Sequence, residues 1–202
     1  GQAEYSCCTS RGSVVALNAS TGEQIWKAWV VPEEPKPYRT QPNGVVLYKP
    51  AGGAVWNSPT IDPVRKAVYF GTGDATTAPS PKTTDAIMAV DLETGKFLWA
   101  YQATENDVFM GGCNGPNKSE ACPGPMRPAT DIGTPPILTT LSNGRRVLLA
   151  GTKSGDVFGL DPDNNGALLY RVNPAGQPVG RMHFLERLDR EDCGRGFVLT
   201  GY

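Results

Sequence analysis

The sequence predicts an all-β protein, a β-propeller fragment of about two and a half four-stranded blades, from its composition and an internal repeat. Gly 24 and Pro 18 make up about a fifth of the 202 residues, and charged residues only 19%. This composition is typical of turn-rich β structure and excludes a helical bundle. The repeat is a hairpin-like segment that occurs three times, as GSVVALNASTGEQIWKAW, AIMAVDLETGKFLWAYQ and GDVFGLDPDNNGALLYRV.

Each repeat predicts a β-hairpin. An alternating apolar run reaches an Asn or Asp, a Gly-containing turn follows, and a second apolar run ends in an aromatic residue. The turn residues Asn18, Asp91 and Asp161 are 73 and 70 positions apart, so the period is about 70 residues. We expect Asp91 and the Thr-Gly after it to fix the outer corner of its blade. Trp26 and Trp99 occupy the aromatic position that packs against the next blade.

Two further strands per unit complete the predicted blades. Apolar segments such as AVYFGTG and RRVLLAGT precede the second and third hairpins. The chain is then divided into the outer half of one blade (1–29), a complete second blade (55–102) and a complete third blade (131–172). The extra length lies in inserts rich in Pro, Gly and Asn, 32–54 and 103–130, which we expect to be irregular loops.

Two and a half blades cannot close a ring, so we expect this chain to be a piece of a longer protein. Residues 1–178 form the predicted partial propeller. Residues 179–202 form a charged tail without a hairpin pattern, and we assign no function to it. The alternative architecture is a β-sandwich whose hairpins are alike by chance.

Charge and hydropathy exclude several partners. The formal net charge is −1, with no run of Lys and Arg, which argues against nucleic acid and a membrane surface. No stretch approaches 18 consecutive apolar residues, so we expect no membrane insertion. The chain opens on Gly1 without a charged and apolar leader, so we expect that any signal peptide has been removed.

The five cysteines favour an oxidising compartment. None forms a CxxC motif, and the single His183 is far from all of them in sequence, which argues against a zinc site. Cys113 and Cys122 flank part of the second insert, where a disulfide would staple a long loop.

The repeats VVALNASTGEQIW and AVDLETGKFLW resemble those of dehydrogenases that use pyrroloquinoline quinone (PQQ). The segments CCTSRGSVVALNASTG, AVWNSPTIDPVRKAVYFGTGD and GTPPILTTLSNGRRVLLAGTKSGDVFGLDPD are similar to the polyvinyl alcohol dehydrogenase branch of this family. The resemblance covers roughly residues 4–172. The repeat alone is less specific, because non-catalytic scaffold propellers carry it too.

The resemblance implies an enzyme that oxidises alcohols, most of all secondary hydroxyls, with PQQ and Ca²⁺ as cofactors. It also implies a cytochrome c as electron acceptor and a periplasmic or secreted location. No CxxCH haem motif occurs here, so a haem domain would lie in another segment or another chain. The alternative is a binding or assembly scaffold without cofactor, and we expect the isolated fragment to be inactive.

The resemblance assigns the metal ligands and the base. Asp74, in YFGTGD, stands where the family has an asparagine that ligates calcium, and Glu4 stands near a glutamate ligand. The alternative for Glu4 is a solvated terminal side chain. Asp131 precedes a strand of the third blade as the catalytic base does, with Asp107 as its competitor.

The resemblance also assigns residues to PQQ, a flat o-quinone with three carboxylates. Trp56, 18 residues before Asp74, would stack under the ring. Cys7 and Cys8, if joined, would cover the other face. Arg11 would pair with a carboxylate and Lys153 would reach the quinone oxygens. The alternatives are a core tryptophan, two free thiols and solvated cations.

Overall fold

The structure is a computed structural model that describes residues 8–113, 116, 122 and 126–172. Every regular element in the described part is a β-strand, which confirms the predicted all-β class. The strands are β1 (Ser13–Leu17), β2 (Gln24–Trp29), β3 (Lys36–Thr40), β4 (Val46–Lys49), β5 (Thr60–Asp62), β6 (Ala67–Gly71), β7 (Ala86–Asp91), β8 (Phe97–Gln102), β9 (Ile137–Thr140), β10 (Arg146–Gly151), β11 (Val157–Asp161) and β12 (Ala167–Val172).

The strands form three successive antiparallel sheets in the order expected for blades. β1 pairs with β2 alone, β5-β6-β7-β8 form a four-stranded sheet, and β9 to β12 form a second one in the order β12-β11-β10-β9. Neighbours in sequence are neighbours in each sheet, as in a propeller blade. The fragment of about two and a half blades is therefore confirmed. The predicted boundary at residue 178 and the tail 179–202 lie outside the described residues.

The prediction of an irregular first insert is wrong in one part. The insert 32–54 contains a fourth, two-stranded sheet, in which β3 pairs antiparallel with β4. All five residues of β3 are exposed, so its sequence lacks the apolar alternation that marks a half-buried strand. Backbone pairing with β4 holds this strand instead of core burial.

Tryptophans join successive sheets, as the repeat predicted. The indole of Trp26, in the first sheet, lies over Gly95, where an added Cβ would be 2.6 Å from the ring. Its Nε1 donates a hydrogen bond to the carbonyl of Leu92, at 3.0 Å. Trp99 repeats the contact one blade later, over Gly166, where an added Cβ would be 2.4 Å from the ring. At each of these two interfaces between successive sheets, a tryptophan ring thus packs against a glycine in a turn.

The outer corner at Asp91 has the predicted construction. Its Oδ1 accepts hydrogen bonds from the Thr94 amide at 2.8 Å and from the Thr94 hydroxyl at 2.7 Å. Gly95 follows with a φ of 69°, in the left-handed region that favours glycine. This Asx turn sets the register of β7 against β8.

A disulfide joins Cys113 to Cys122, which confirms the predicted staple across the second insert. Within the described residues, no helix is long and apolar enough to cross a membrane.

Candidate functional site

The candidate site residues lie at one edge of the sheets because of strand direction. In an antiparallel sheet the end of one strand and the start of the next share an edge. Asp74 follows β6, Trp56 precedes β5, Asp131 precedes β9 and Lys153 follows β10. The second and third sheets therefore bring these four residues to a common edge.

The connecting segments at this edge are joined by backbone contacts. Single β-bridges link Arg11 to Gly52, Gly52 to Ala75, and Ala75 to Val108. Gly52 has a φ of 116°, and a Cβ there would lie 2.4 Å from the Asp74 carbonyl oxygen. Only glycine therefore permits this approach. These bridges place the segment that contains Asp74 between the segments of Gly52 and Val108.

Lys153 connects the predicted base to the predicted ring platform. Its ammonium forms an ion pair with Asp131 Oδ2 and lies 5.3 Å from the ring centroid of Trp56. The Asp131 side chain is 7% exposed and that of Lys153 44%. A carboxylate, a cation and an indole thus meet at one place, with the cation still open to solvent.

Gly133 makes room for the indole. A Cβ at Gly133 would lie 2.2 Å from Cη2 of Trp56, so the ring lies directly against the glycine backbone. The rest of the side chain is open, since Trp56 is 53% exposed. A tryptophan of the core would be buried, so this exposure argues against the core alternative, and the stacking role of Trp56 stays a prediction.

Asp131 is fixed on both of its carboxylate oxygens. Oδ1 accepts a hydrogen bond from the backbone amide of Asp74 at 2.8 Å, and Oδ2 pairs with Lys153. The Lys153 amide also donates to the Asp131 carbonyl, at 3.1 Å. Because each carboxylate oxygen has two lone pairs, Asp131 can still accept a further hydrogen bond.

Asp74 belongs to a group of carboxylates. Oxygens of Asp74, Asp85 and Asp107 all lie within 4.8 Å of one another. Asp85 immediately precedes β7 and Asp107 follows β8, so both reach the edge at which Asp74 lies. Asp85 is fully buried and has a φ of 48°, a left-handed conformation that aspartate tolerates better than most residues.

Burial and mutual repulsion oppose ionisation in this group. Burial raises the pKa of Asp74 to about 7, with further contributions from Asp131 and Asp107. Burial likewise raises the pKa of Asp85 to about 9, and the charges of Asp74, Asp107 and Asp131 add to the shift. Without a cation, neighbouring buried carboxylates cannot all carry their charge.

The Arg11 side chain contacts residues that follow β2 and the ring of Trp29. Its guanidinium donates to the carbonyl of Pro32 at 3.1 Å, lies 3.7 Å from Glu34 Oε1 and covers the ring of Trp29 at 4.1 Å. These contacts differ from the solvated cation considered as the alternative. The role of Arg11 toward a PQQ carboxylate stays a prediction.

Of the predicted cysteine pair, only Cys8 lies within the described residues. Cys8 is buried and disulfide-bonded, and it packs with Leu47, Ala51, Met110 and Cys113. Its Sγ lies 3.9 Å from the carbonyl oxygen of Thr76, two residues after Asp74. Cys7 and Glu4 lie outside the described residues, so the pairing of Cys7 with Cys8 and the ligand role of Glu4 stay predictions.

No sequence motif marks Asp85 or Gly133 as site residues, and the sequence predicts Asp107 only as a competing base. The structure gives Asp107 a different environment from Asp131. Its Oδ2 accepts from the amide of Thr130 at 3.0 Å and from the hydroxyl of Thr130, and it is buried. Strand direction was the available signal, since it places the residues before β7 and after β8 beside Asp74.

Comparison with known proteins gives the family. Residues 2–110 match the family model described as "PQQ: Glucose/ethanol/alcohol dehydrogenase, beta-propeller domain". The match covers more than half of the chain, and the chain belongs to this family of PQQ dehydrogenase propellers.

Individual relatives are similar over most of the chain. A polyvinylalcohol dehydrogenase of Pseudomonas sp. is 39% identical over 191 residues, which is 94% of this chain and 29% of that protein. One from Sphingopyxis sp. (strain 113P3) is 37% identical, over 89% of this chain and 28% of that protein. The chain thus spans less than a third of the length of these relatives.

A solved structure has the same fold. The crystal structure of the quinohemoprotein alcohol dehydrogenase from Comamonas testosteroni superposes with a TM-score of 0.57 at 27% identity. The match covers 86% of this chain and 26% of that one. The neighbour supports the assignment of the described sheets as propeller blades.

Proposed function

We propose that the full-length protein containing this chain is a PQQ-dependent alcohol dehydrogenase of the polyvinyl alcohol type. In this proposal it oxidises secondary hydroxyls with PQQ and Ca²⁺ and passes electrons to a cytochrome c. It acts in the periplasm or outside the cell, in line with the disulfide between Cys113 and Cys122. The two polyvinylalcohol dehydrogenases among the relatives support the substrate class.

The observation that carries the proposal is the contact of Lys153 with both Asp131 and Trp56. When bound, PQQ supplies the oxidant, a quinone that accepts two electrons from the alcohol. A flat ring fits the exposed face of the Trp56 indole, because stacking needs an open aromatic surface. Lys153 is near enough to that surface to neutralise negative charge on a bound anion.

Asp131 has the surroundings of a general base. A carboxylate can accept a proton, and the Lys153 ammonium and the Asp74 amide contact its two oxygens. Both contacts also restrict the side chain, so the carboxylate stays aimed at one place. We assign Asp131 the task of taking the hydroxyl proton of the alcohol.

The group of carboxylates that includes Asp74 suits a hard cation. Asp74 Oδ1 is buried, and no hydrogen-bond partner reaches it from the described part of the chain. Carboxylate oxygens are the ligands that Ca²⁺ prefers. Asp74 would hold the cation, with Glu4 as a proposed second ligand, and the positive charge would stabilise a neighbouring anion.

The proposal is tested by reconstituting the full-length protein with PQQ and Ca²⁺ and measuring dye reduction with polyvinyl alcohol or a small secondary alcohol. We expect reduction that requires PQQ, Ca²⁺ and alcohol together. We also expect Trp56→Ala to weaken PQQ binding at least about tenfold through loss of stacking.

Phe97→Ala is the matched control, because Phe97 is a similarly exposed aromatic residue, 58% exposed, on β8. It should leave PQQ binding unchanged. A full-length protein that binds no PQQ, or binds it without alcohol-dependent reduction, would favour the non-catalytic scaffold.

A further inference from the structure

The group formed by Asp74, Asp85 and Asp107 is built from three separate segments of one sheet. The segments are the loop after β6, the residue before β7 and the loop after β8. Their oxygens nevertheless lie within 4.8 Å of one another. The β-bridge between Ala75 and Val108 fixes two of these segments side by side, one residue after Asp74 and after Asp107. The spacing is therefore set by the backbone of the sheet edge.

Four of the six carboxylate oxygens in this group have no donor among the described residues. Among the described residues, no hydrogen-bond partner reaches either carboxylate oxygen of Asp85, which is fully buried. The same holds for Asp107 Oδ1, in a side chain that is also almost wholly buried. Buried carboxylate oxygens are expected to be paired or to coordinate a metal, because desolvation without a partner is costly.

The donors of Lys153 and Thr130 are engaged with other oxygens, and the buried hydroxyls of Thr76 and Thr83 have no hydrogen-bond partner among the described residues. The Lys153 ammonium pairs with Asp131, and the Thr130 amide and hydroxyl donate to the other oxygen of Asp107. Each of the three side chains therefore has at least one buried carboxylate oxygen that no donor of the described residues reaches. A cation between them would supply the missing partner for all three carboxylates.

We propose that Asp74, Asp85 and Asp107 together ligate one hard cation of the Ca²⁺ class. Ca²⁺ binds oxygen ligands at about 2.3 to 2.6 Å, so ligand oxygens on opposite sides of the ion are about 5 Å apart. The observed limit of 4.8 Å lies within this span. Zn²⁺ fits less well, since it favours histidine and cysteine ligands.

This inference deepens the proposed function, on which it rests for the presence of a cation beside Asp74. Its new content is that Asp85 and Asp107 are ligands. Three carboxylates supply three of the six to eight oxygens that Ca²⁺ takes, and carbonyl groups or water complete the shell.

The test is Ca²⁺ binding to the full-length protein after chelator treatment and without PQQ, measured by calorimetry and by the shift in unfolding temperature. We expect a saturable site in the wild-type protein. Asp85→Asn and Asp107→Asn should each weaken that site at least about tenfold, because affinity follows the number of charged ligands. Both should also lose most of the Ca²⁺-dependent rise in unfolding temperature.

The matched control is Asp156→Asn. Asp156 is also a buried aspartate beside a strand, but its carboxylate pairs with Arg171 at 3.0 Å. It should bind Ca²⁺ like the wild-type protein. Without Ca²⁺, Asp85→Asn should unfold at no lower temperature than the wild type, since it removes a buried charge that has no partner. This comparison separates loss of a ligand from loss of the fold.

Wild-type Ca²⁺ affinity in Asp85→Asn and Asp107→Asn would overturn the inference, as would a wild-type protein without a saturable site. The dye assay with PQQ separates this failure from failure of the proposed function. Suppose that the protein reduces the dye in the presence of alcohol but that both variants bind Ca²⁺ like the wild type. The dehydrogenase proposal then stands, and only Asp85 and Asp107 are rejected as ligands.

Discussion

Gly133 and Trp56 show how one small residue shapes the candidate site. The indole occupies the space that a side chain at Gly133 would take, while its other surface faces solvent. The ring is therefore placed by a backbone contact, and little core packing depends on it. Function and stability can be separated at this position.

We predict that Gly133→Ala displaces the Trp56 indole, because the added Cβ would lie 2.2 Å from the ring. PQQ affinity of the full-length protein should fall at least about tenfold, while the unfolding temperature changes by only a few degrees, since a half-exposed ring can move outward. Titration with PQQ, followed by protein fluorescence, measures the affinity.

The control is Gly111→Ala, at a glycine that has no atom of the described residues within 4 Å of an added Cβ. It should bind PQQ like the wild-type protein. Unchanged PQQ affinity in Gly133→Ala would show that the indole position does not matter for the quinone.

At the scale of elements, a charged network joins the second sheet to the third. Asp62, at the end of β5, is 1% exposed and accepts a hydrogen bond from the Tyr69 hydroxyl at 2.9 Å. It also pairs with Arg146 at the start of β10, and Arg146 lies 3.0 Å from Asp163. The two blades that carry the candidate site are thus held together by more than the Trp99 contact.

This network predicts acid-sensitive stability. Burial alone would raise the pKa of Asp62, but the Arg65 amide, Arg146 and Tyr69 favour the carboxylate and lower the pKa below its ordinary 3.8. A group whose pKa is lower in the folded state stabilises the fold above its ordinary pKa. That stabilisation is lost as the pH falls through the folded value.

We therefore expect Asp62→Asn to reduce the free energy of unfolding by about 1 to 3 kcal/mol at neutral pH, as for hydrogen bonds to charged groups. The difference from the wild type should shrink as the pH falls below about 4. Urea unfolding between pH 7 and pH 3 measures it, with the exposed Glu33→Gln as control. A difference that stays constant over this range would contradict the assigned network.

At the scale of the whole molecule, the repeat predicted the blades well. The Asp91 corner and the Trp26 and Trp99 contacts follow from local sequence, because turn chemistry and an aromatic at a fixed spacing determine them. The β3-β4 hairpin did not follow from sequence, because the exposed strand β3 has no apolar alternation.

The candidate site was predictable only in part. The resemblance singles out Trp56, Asp74, Asp131 and Lys153, and the structure brings them together at one edge. Asp85 carries no motif, and its place beside Asp74 depends on the pairing of β6 with β7. Residues that meet through strand pairing leave a weaker local signal than residues within one turn.

Asp131→Asn tests the proposal that Asp131 takes the proton of the alcohol. The asparagine retains an oxygen that can accept the Asp74 amide hydrogen bond but cannot take a proton as a carboxylate does. Turnover of alcohol by the full-length protein with PQQ and Ca²⁺ should fall about 10²- to 10⁴-fold, while PQQ still binds. The Asp163→Asn variant, at another ion-paired aspartate on the outer corner, should turn over normally. Wild-type turnover in Asp131→Asn would show that Asp131 is not the base.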